Sequence, residues 1–186
     1  VELWLPIVLS AVAVWIASAV AWTALPHHKK DFVKLPDESG FIAHLRALNI
    51  PPGNYAIPMC SHSKGGMSEE AKRCMVEGPL GMLSLWKVPA KMGKNMILSF
   101  CVYLAISITL AYLAWVSLGH ATVEGGPRLT FGAVFQVTGT AGILAYCFSH
   151  IPSGIWFGAA RRSIIFNIID GVAFGCITGA IFAWLW

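Results

Sequence analysis

Four long apolar runs decide what this chain can become. Residues 3–25, 95–118, 128–149 and 164–186 are each long enough as helices, at ~1.5 Å of rise per residue, to cross a hydrocarbon layer ~30 Å thick. Outside residues 26–94 the chain carries only six Asp, Glu, Lys or Arg side chains: Glu2, Glu124, Arg128, Arg161, Arg162 and Asp170. So few charges cannot solvate the surface of a compact body in water. In lipid each backbone amide must find its partner within the protein, and an isolated apolar run does so by becoming a helix. The expected class is an all-α membrane protein, with four transmembrane helices and a small α+β insert between the first two.

The only charge near the start of the first run is Glu2, and the basic group His27-His28-Lys29-Lys30 comes after it. A cleaved leader has the reverse order and a shorter apolar core, so residues 3–25 read as a retained helix. Residues 26–94 hold ten Lys or Arg, and Arg161 and Arg162 fall on the same side, against Arg128 alone on the other. The positive-inside bias puts the insert in the cytoplasm and both termini outside. Tryptophan placement agrees, because its ring prefers the headgroup level. Trp4, Trp115, Trp184 and Trp186 fall at outer ends, Trp22 and Trp156 at inner ends, and Trp15 alone sits in mid-membrane.

Residues 26–94 hold sixteen of the 22 charged residues and five of the six methionines. Pro36 and Asp37 open a helix in which Phe41, Ile42, Leu45 and Leu48 recur at helical spacing, and Pro51-Pro52-Gly53 ends it. Ser68 reads as an N-cap, with Glu69 and Glu70 in the first turn and Gly78 past the end. Tyr55-Ala56-Ile57 and Met82 to Val88 are short and β-prone enough to pair. A segment of this size buries only a marginal core alone, so the expectation is an ordered cap held against the membrane face of the bundle.

The landmarks Leu35-Pro36-Asp37-Glu38, Pro52-Gly53-Asn54-Tyr55, Glu77-Gly78-Pro79-Leu80-Gly81, Met92-Gly93-Lys94, Asp170-Gly171 and Trp184-Leu185-Trp186, taken in order, resemble a family of uncharacterised bacterial four-helix inner-membrane proteins. The resemblance spans nearly the whole chain. It implies a bacterial inner membrane, crossed several times with both termini periplasmic, and carries over no catalytic residue. Met59-Cys60-Ser61-His62 departs from the pattern.

Asp170 lies a few residues into the fourth span, where an ionised carboxylate facing lipid is disfavoured by a few kcal/mol at least. It must point inward. Two roles follow, a structural carboxylate bonded to Asn167, Tyr103 or Lys94, or a proton-relay group in a cavity lined by Tyr103, Gln136 and Asn167. One buried acid among four continuous spans favours the structural role, since transporters usually combine several ionisable groups with broken helices.

Gly171, Gly175 and Gly179 stand four apart and form one smooth ridge for a close helix neighbour. Ala13, Ala17 and Ala21 make a similar strip on the first span, and Gly132, Gly139 and Gly142 thin the third. Such strips serve packing within the bundle or contact with another subunit; three of them exceed what one bundle demands, which points to further subunits or a second copy. His27, His28, Lys29 and Lys30 form a patch suited to anionic lipid headgroups. Cys60, His62 and Cys74 offer soft donors for copper or zinc, but their spacing matches no closed zinc pattern. His120 and His150 end on opposite sides, ~30 Å apart, which removes a shared haem.

No phosphate-binding loop, dinucleotide fingerprint, serine elbow or zinc-protease helix occurs. The net charge of +4 serves topology, and nothing suggests nucleic acid. The reading is a non-catalytic protein, an accessory or stabilising subunit of a larger inner-membrane complex, energy-transducing ones included. The alternatives are a small proton-linked carrier using Asp170 and a cytoplasmic-face copper or zinc binder. Which cofactor, if any, is bound does not follow from the residues.

Overall fold

The computed structural model describes residues 2–59, 67–119 and 129–186. Along the chain run α1 (Trp4–Thr23), a 3-10 turn (Pro26–His28), α2 (Glu38–Ala47), β1 (Gly53–Ile57), α3 (Glu69–Glu77), β2 (Gly81–Leu85), α4 (Met92–Leu118), α5 (Phe131–Ile143), a π turn (Leu144–Phe148), α6 (His150–Trp156) and α7 (Arg161–Leu185). They form two compact units, Val1–Phe32 with Lys91–Trp186, and Val33–Ala90.

The first unit is a helical bundle in which four helical stretches are long and apolar enough to cross a membrane: Trp4–Thr23, Met92–Leu118, Phe131–Trp156 and Arg161–Leu185. Their buried positions are mostly small. Ser10, Ala11, Val14 and Ala21 on α1, Ser107, Ala111 and Ala114 on α4, and Gly171, Gly175, Thr178 and Gly179 on α7 let the backbones come close. Where lipid tails are as apolar as leucine, such close approach gains the dispersion contacts that hold helices together. The largest fully buried side chain, Phe182, packs with Ala111 and Val134 and is ringed by Leu3, Ile7, Leu118, Leu129, Ala183 and Trp186.

The seam between α5 and α7 is closed by the glycine ridge. A Cβ on Gly175 would stand 2.5 Å from the Ile143 amide nitrogen, and one on Gly179 would stand 2.7 Å from Gly139 Cα. At Gly171 it would meet Cys147 Sγ at 2.6 Å and the Tyr146 carbonyl oxygen at 2.9 Å. Of the two uses open to the ridge, packing within the bundle and contact with another subunit, it serves the first, because Gly139 and Gly142 of the third span lie against it. The α1 strip is divided between environments, with Ala21 buried and Ala13 and Ala17 half-buried; Gly132 is exposed.

Hydrogen bonds join α1 to α4. Ser10 and Ser107 share one at 3.0 Å, buried from solvent. The Tyr103 hydroxyl donates to Ser18 Oγ at 2.9 Å, and the indole N–H of Trp15 donates to the Met96 carbonyl at 3.1 Å. That last bond gives the indole N–H a polar partner on the neighbouring helix.

Three span boundaries differ from the sequence reading. The second span begins at Met92 and the fourth at Arg161, because long basic side chains can reach out while their backbone stays helical. The third runs past residue 149 to Trp156. Pro152 suggests a stop, yet it stands in the first turn of α6, where a missing N–H costs little. The π turn at Leu144–Phe148 supplies the local change of register before it.

The second unit is built from local signals. Asp37 caps α2 by accepting from the Gly40 amide at 2.9 Å, and Ser68 caps α3 by accepting from the Ala71 amide at 3.2 Å. Gly78, at φ +70°, ends α3 in a backbone region where a side chain would be strained. β1 and β2 pair antiparallel, with Gly53 opposite Leu85, Tyr55 opposite Leu83 and Ile57 opposite Gly81. The Ser84 hydroxyl donates across the pair to Asn54 Oδ1. None of this unit's described residues is buried; the helix caps and the β1–β2 pairing give it its order.

Candidate functional site

After α1 ends, Leu25 is extended and Pro26 starts the 3-10 turn. The fixed φ of proline turns the chain at once, and the two histidine rings that follow fold back under α7. His28 lies flat on the Trp22 ring, centroids 4.0 Å apart and planes within 2°, and is 4% exposed. Its Nε2 is 2.8 Å from Asp170 Oδ2, and its Nδ1 is 2.6 Å from Asp31 Oδ2. His27 Nε2 stands 3.2 Å from both carboxylate oxygens of Asp170, with its ring against Phe166 at 5.2 Å.

α7 supplies the opposing wall from positions four apart. Asp170 and Phe166 share a face with Arg162, whose guanidinium lies 4.6 Å from the Phe166 ring centroid and whose Nη1 is 3.4 Å from Asp31 Oδ1. Asp31 and Asp170 are 7% and 14% exposed at their side chains. Each is held by partners, as a carboxylate removed from water must be.

The electrostatics follow from donor counts. An ionised carboxylate only accepts, while a neutral imidazole donates from one nitrogen alone. Without another cation, a carboxylate on each ring nitrogen therefore favours imidazolium at His28. Burial pushes the His28 pKa down, but the hydrogen bonds and charges of Asp31 and Asp170 outweigh it and leave it raised above 6.5. Its contribution to stability is then full below 6.5 and lost as pH rises through the raised value. The hydrogen bond from His28 is the largest influence on Asp31; against the cost of burial, it holds that pKa below 3.8, helped by Ser163 and Arg162. That contribution is present above 3.8 and lost as pH falls through the lowered value.

Several expected placements change. Asp170 pairs with His27 and His28 and not with Asn167, Tyr103 or Lys94; Tyr103 is engaged with Ser18. Gln136 is exposed on α5 and Asn167 is half-buried on α7, so the anticipated cavity of Tyr103, Gln136 and Asn167 around Asp170 does not form. The basic patch divides. Lys29 and Lys30 are exposed, as a headgroup contact requires, while His28 is buried and His27 turns toward Asp170. Cys60 and His62 lie outside the described residues, and Cys74 is exposed on α3.

Sequence reasoning missed Asp31 and Arg162 as members of this site. The available signal was an acid three residues after His28, together with an arginine eight before Asp170 on the same helix face. Three ligand atoms, one each from His27, His28 and Asp170, lie within 4.8 Å of one another. Comparison with family models, with curated proteins and with solved structures finds no match for this chain.

Proposed function

We propose that the chain is a non-catalytic integral membrane protein that serves as an accessory or stabilising subunit of a larger complex in a bacterial inner membrane. The observation that supports this reading is a groove of about 420 Å³ between α4 and the third span. Ala105 and Thr109 stand four apart on one wall, and Ala141 and Ala145 four apart on the other, with Val102, Ile106, Leu110 and Leu113 completing it. Small residues and a threonine on facing walls are the surface a further transmembrane helix packs against. The glycine ridge, occupied by its own bundle, no longer enters the argument.

The carrier alternative loses support from the pairing of Asp170. Two imidazoles in hydrogen-bonding reach fit a fastening between the turn after α1 and α7 better than an acid poised over a transport cavity.

Ala141→Trp tests the proposal, because it fills the groove and leaves the glycine seam untouched. Extraction in a gentle detergent followed by native mass spectrometry is expected to find the wild-type chain in a larger assembly and the variant released from it. A wild-type chain that emerges alone, or carrying only a lipid, overturns the proposal.

A further inference from the structure

We infer that His27, His28 and Asp170 together bind one divalent first-row transition-metal ion of the zinc class, where the turn after α1 meets the first half of α7. The atoms that would hold it already converge. His27 Nε2 stands 3.2 Å from each Asp170 oxygen and His28 Nε2 stands 2.8 Å from one of them. Ligands of tetrahedral zinc, with bonds of ~2.0–2.1 Å, lie roughly 3.3 Å from one another. The His–Asp170 separations are thus close to those of a bound ion, and all three ligand atoms lie within 4.8 Å of one another, so an ion would draw together groups otherwise held by protons.

A second observation points the same way. Metal-bound imidazoles characteristically donate their other ring N–H to a carboxylate, which fixes the tautomer and makes the ligating nitrogen more basic. Asp31 stands 2.6 Å from His28 Nδ1, on the side of the ring away from Asp170. Arg162 in turn holds the other oxygen of Asp31. Trp22 covers the His28 face and Phe166 lies against His27, so the rings are oriented by packing as well as by bonds.

Charge and donor type narrow the ion. An ion would displace the His28 proton, and with both imidazoles neutral Asp31 and Asp170 against Arg162 leave one negative charge for it to offset, with Lys29 and Lys30 exposed nearby. Two nitrogens and a carboxylate oxygen suit zinc and its first-row neighbours, whereas calcium and magnesium select oxygen sets and copper(I) selects sulfur. Three protein ligands leave a position for water. The ion would join segments 142 and 143 positions apart in sequence, giving the bundle a clamp at one end. This site is independent of the groove and of what fills it.

The experiment uses the full chain in detergent, stripped with a chelator and dialysed against zinc chloride, with bound zinc counted per chain by mass spectrometry. Dialysis against cobalt(II) adds visible bands that report coordination number. One zinc per wild-type chain is expected. His27→Gln should weaken binding at least tenfold, and Asp31→Asn roughly 10–100-fold while leaving one zinc at saturation. Cys74→Ala should leave binding unchanged. His27 is only half-buried, so His27→Gln is expected to keep the helical circular dichroism that a buried substitution could lose. Wild-type protein without stoichiometric zinc overturns the inference, as does zinc lost with Cys74→Ala but kept with His27→Gln. The readout is made on dissociated chains, so failure of the assembly proposal leaves it unaffected.

Discussion

The third span has two neighbours and treats them differently. Toward α7 its backbone is in contact, Gly139 and Gly142 against Gly175 and Gly179, and neither Gly175 nor Gly179 has space for a Cβ. Toward α4 it leaves a groove walled by alanines and a threonine. Both surfaces carry small residues spaced four apart, the groove beside Val102, Ile106, Leu110 and Leu113, so spacing alone does not say whether a strip is filled from within the chain or from outside. Side-chain size decides. Glycine lets two backbones touch at the α7 seam, whereas the α4 side, with larger side chains among its alanines, leaves a slot.

The largest expected effect comes from breaking the closed seam. Gly175→Leu would drive a side chain into the Ile143 backbone, which cannot move aside as a flexible side-chain tip can. Overpacking a tight interior costs about 1–3 kcal/mol where neighbours can yield, and here the helices must separate. The variant is expected to lose the folded bundle, read as a collapsed unfolding temperature in detergent. A bundle that tolerates leucine there would show that α5 and α7 do not meet as described.

Gly142→Ala is a gentler probe of the same seam. Its Cβ would stand 3.1 Å from Gly175 Cα, closer than ordinary contact but within reach of a small helix shift. A loss of about 1 kcal/mol is expected, measured by reversible unfolding in mixed micelles. Equal stability of variant and wild type would mean that the seam has slack, and the contrast with the groove would weaken.

What was legible in advance divides along physical lines. The four long apolar helices could be read because apolar character is a bulk property that every residue in a run reports. Asp37 and Ser68 could be read as caps because the amides they satisfy lie three residues away. The glycine ridge was visible as a ridge, but its occupant depended on which helix folded beside it. The site at His28 was hidden more deeply. Its partners lie 3 and 142 positions away, and its burial depends on the Pro26 turn and the Trp22 ring, which local periodicity does not encode. The run on to Trp156 was hidden by Pro152, whose meaning changes with its position in a turn.

A smaller effect is expected at the α1–α4 contact, which polar groups close where glycines close the other. Ser107→Ala removes the buried bond to Ser10. Interhelical bonds of this kind average ~0.6 kcal/mol in membranes, because a serine without its partner can return to its own helix carbonyls. Ser10 has that option, with its hydroxyl 3.2 Å from the Ile7 carbonyl. The expected loss is therefore about 0.5 kcal/mol, and a loss above 2 kcal/mol would give this contact a weight comparable with the glycine seam.

The smallest effect on the isolated bundle is expected on the open side. Ala105→Leu adds a branched side chain to the groove wall, where about 420 Å³ is free to receive it. No backbone needs to move, and the added methyl groups meet apolar walls, so stability should change by less than about 0.5 kcal/mol, the range of a substitution outside a packed interior. The same change should weaken whatever assembly the groove supports, since a packing helix would meet the new side chain first. Stability and association are thus expected to separate at Ala105 and to fall together at Gly175. Measuring unfolding and native mass for both variants tests the contrast directly. Loss of stability in Ala105→Leu matching that in Gly175→Leu would show that the two sides of the third span are packed alike.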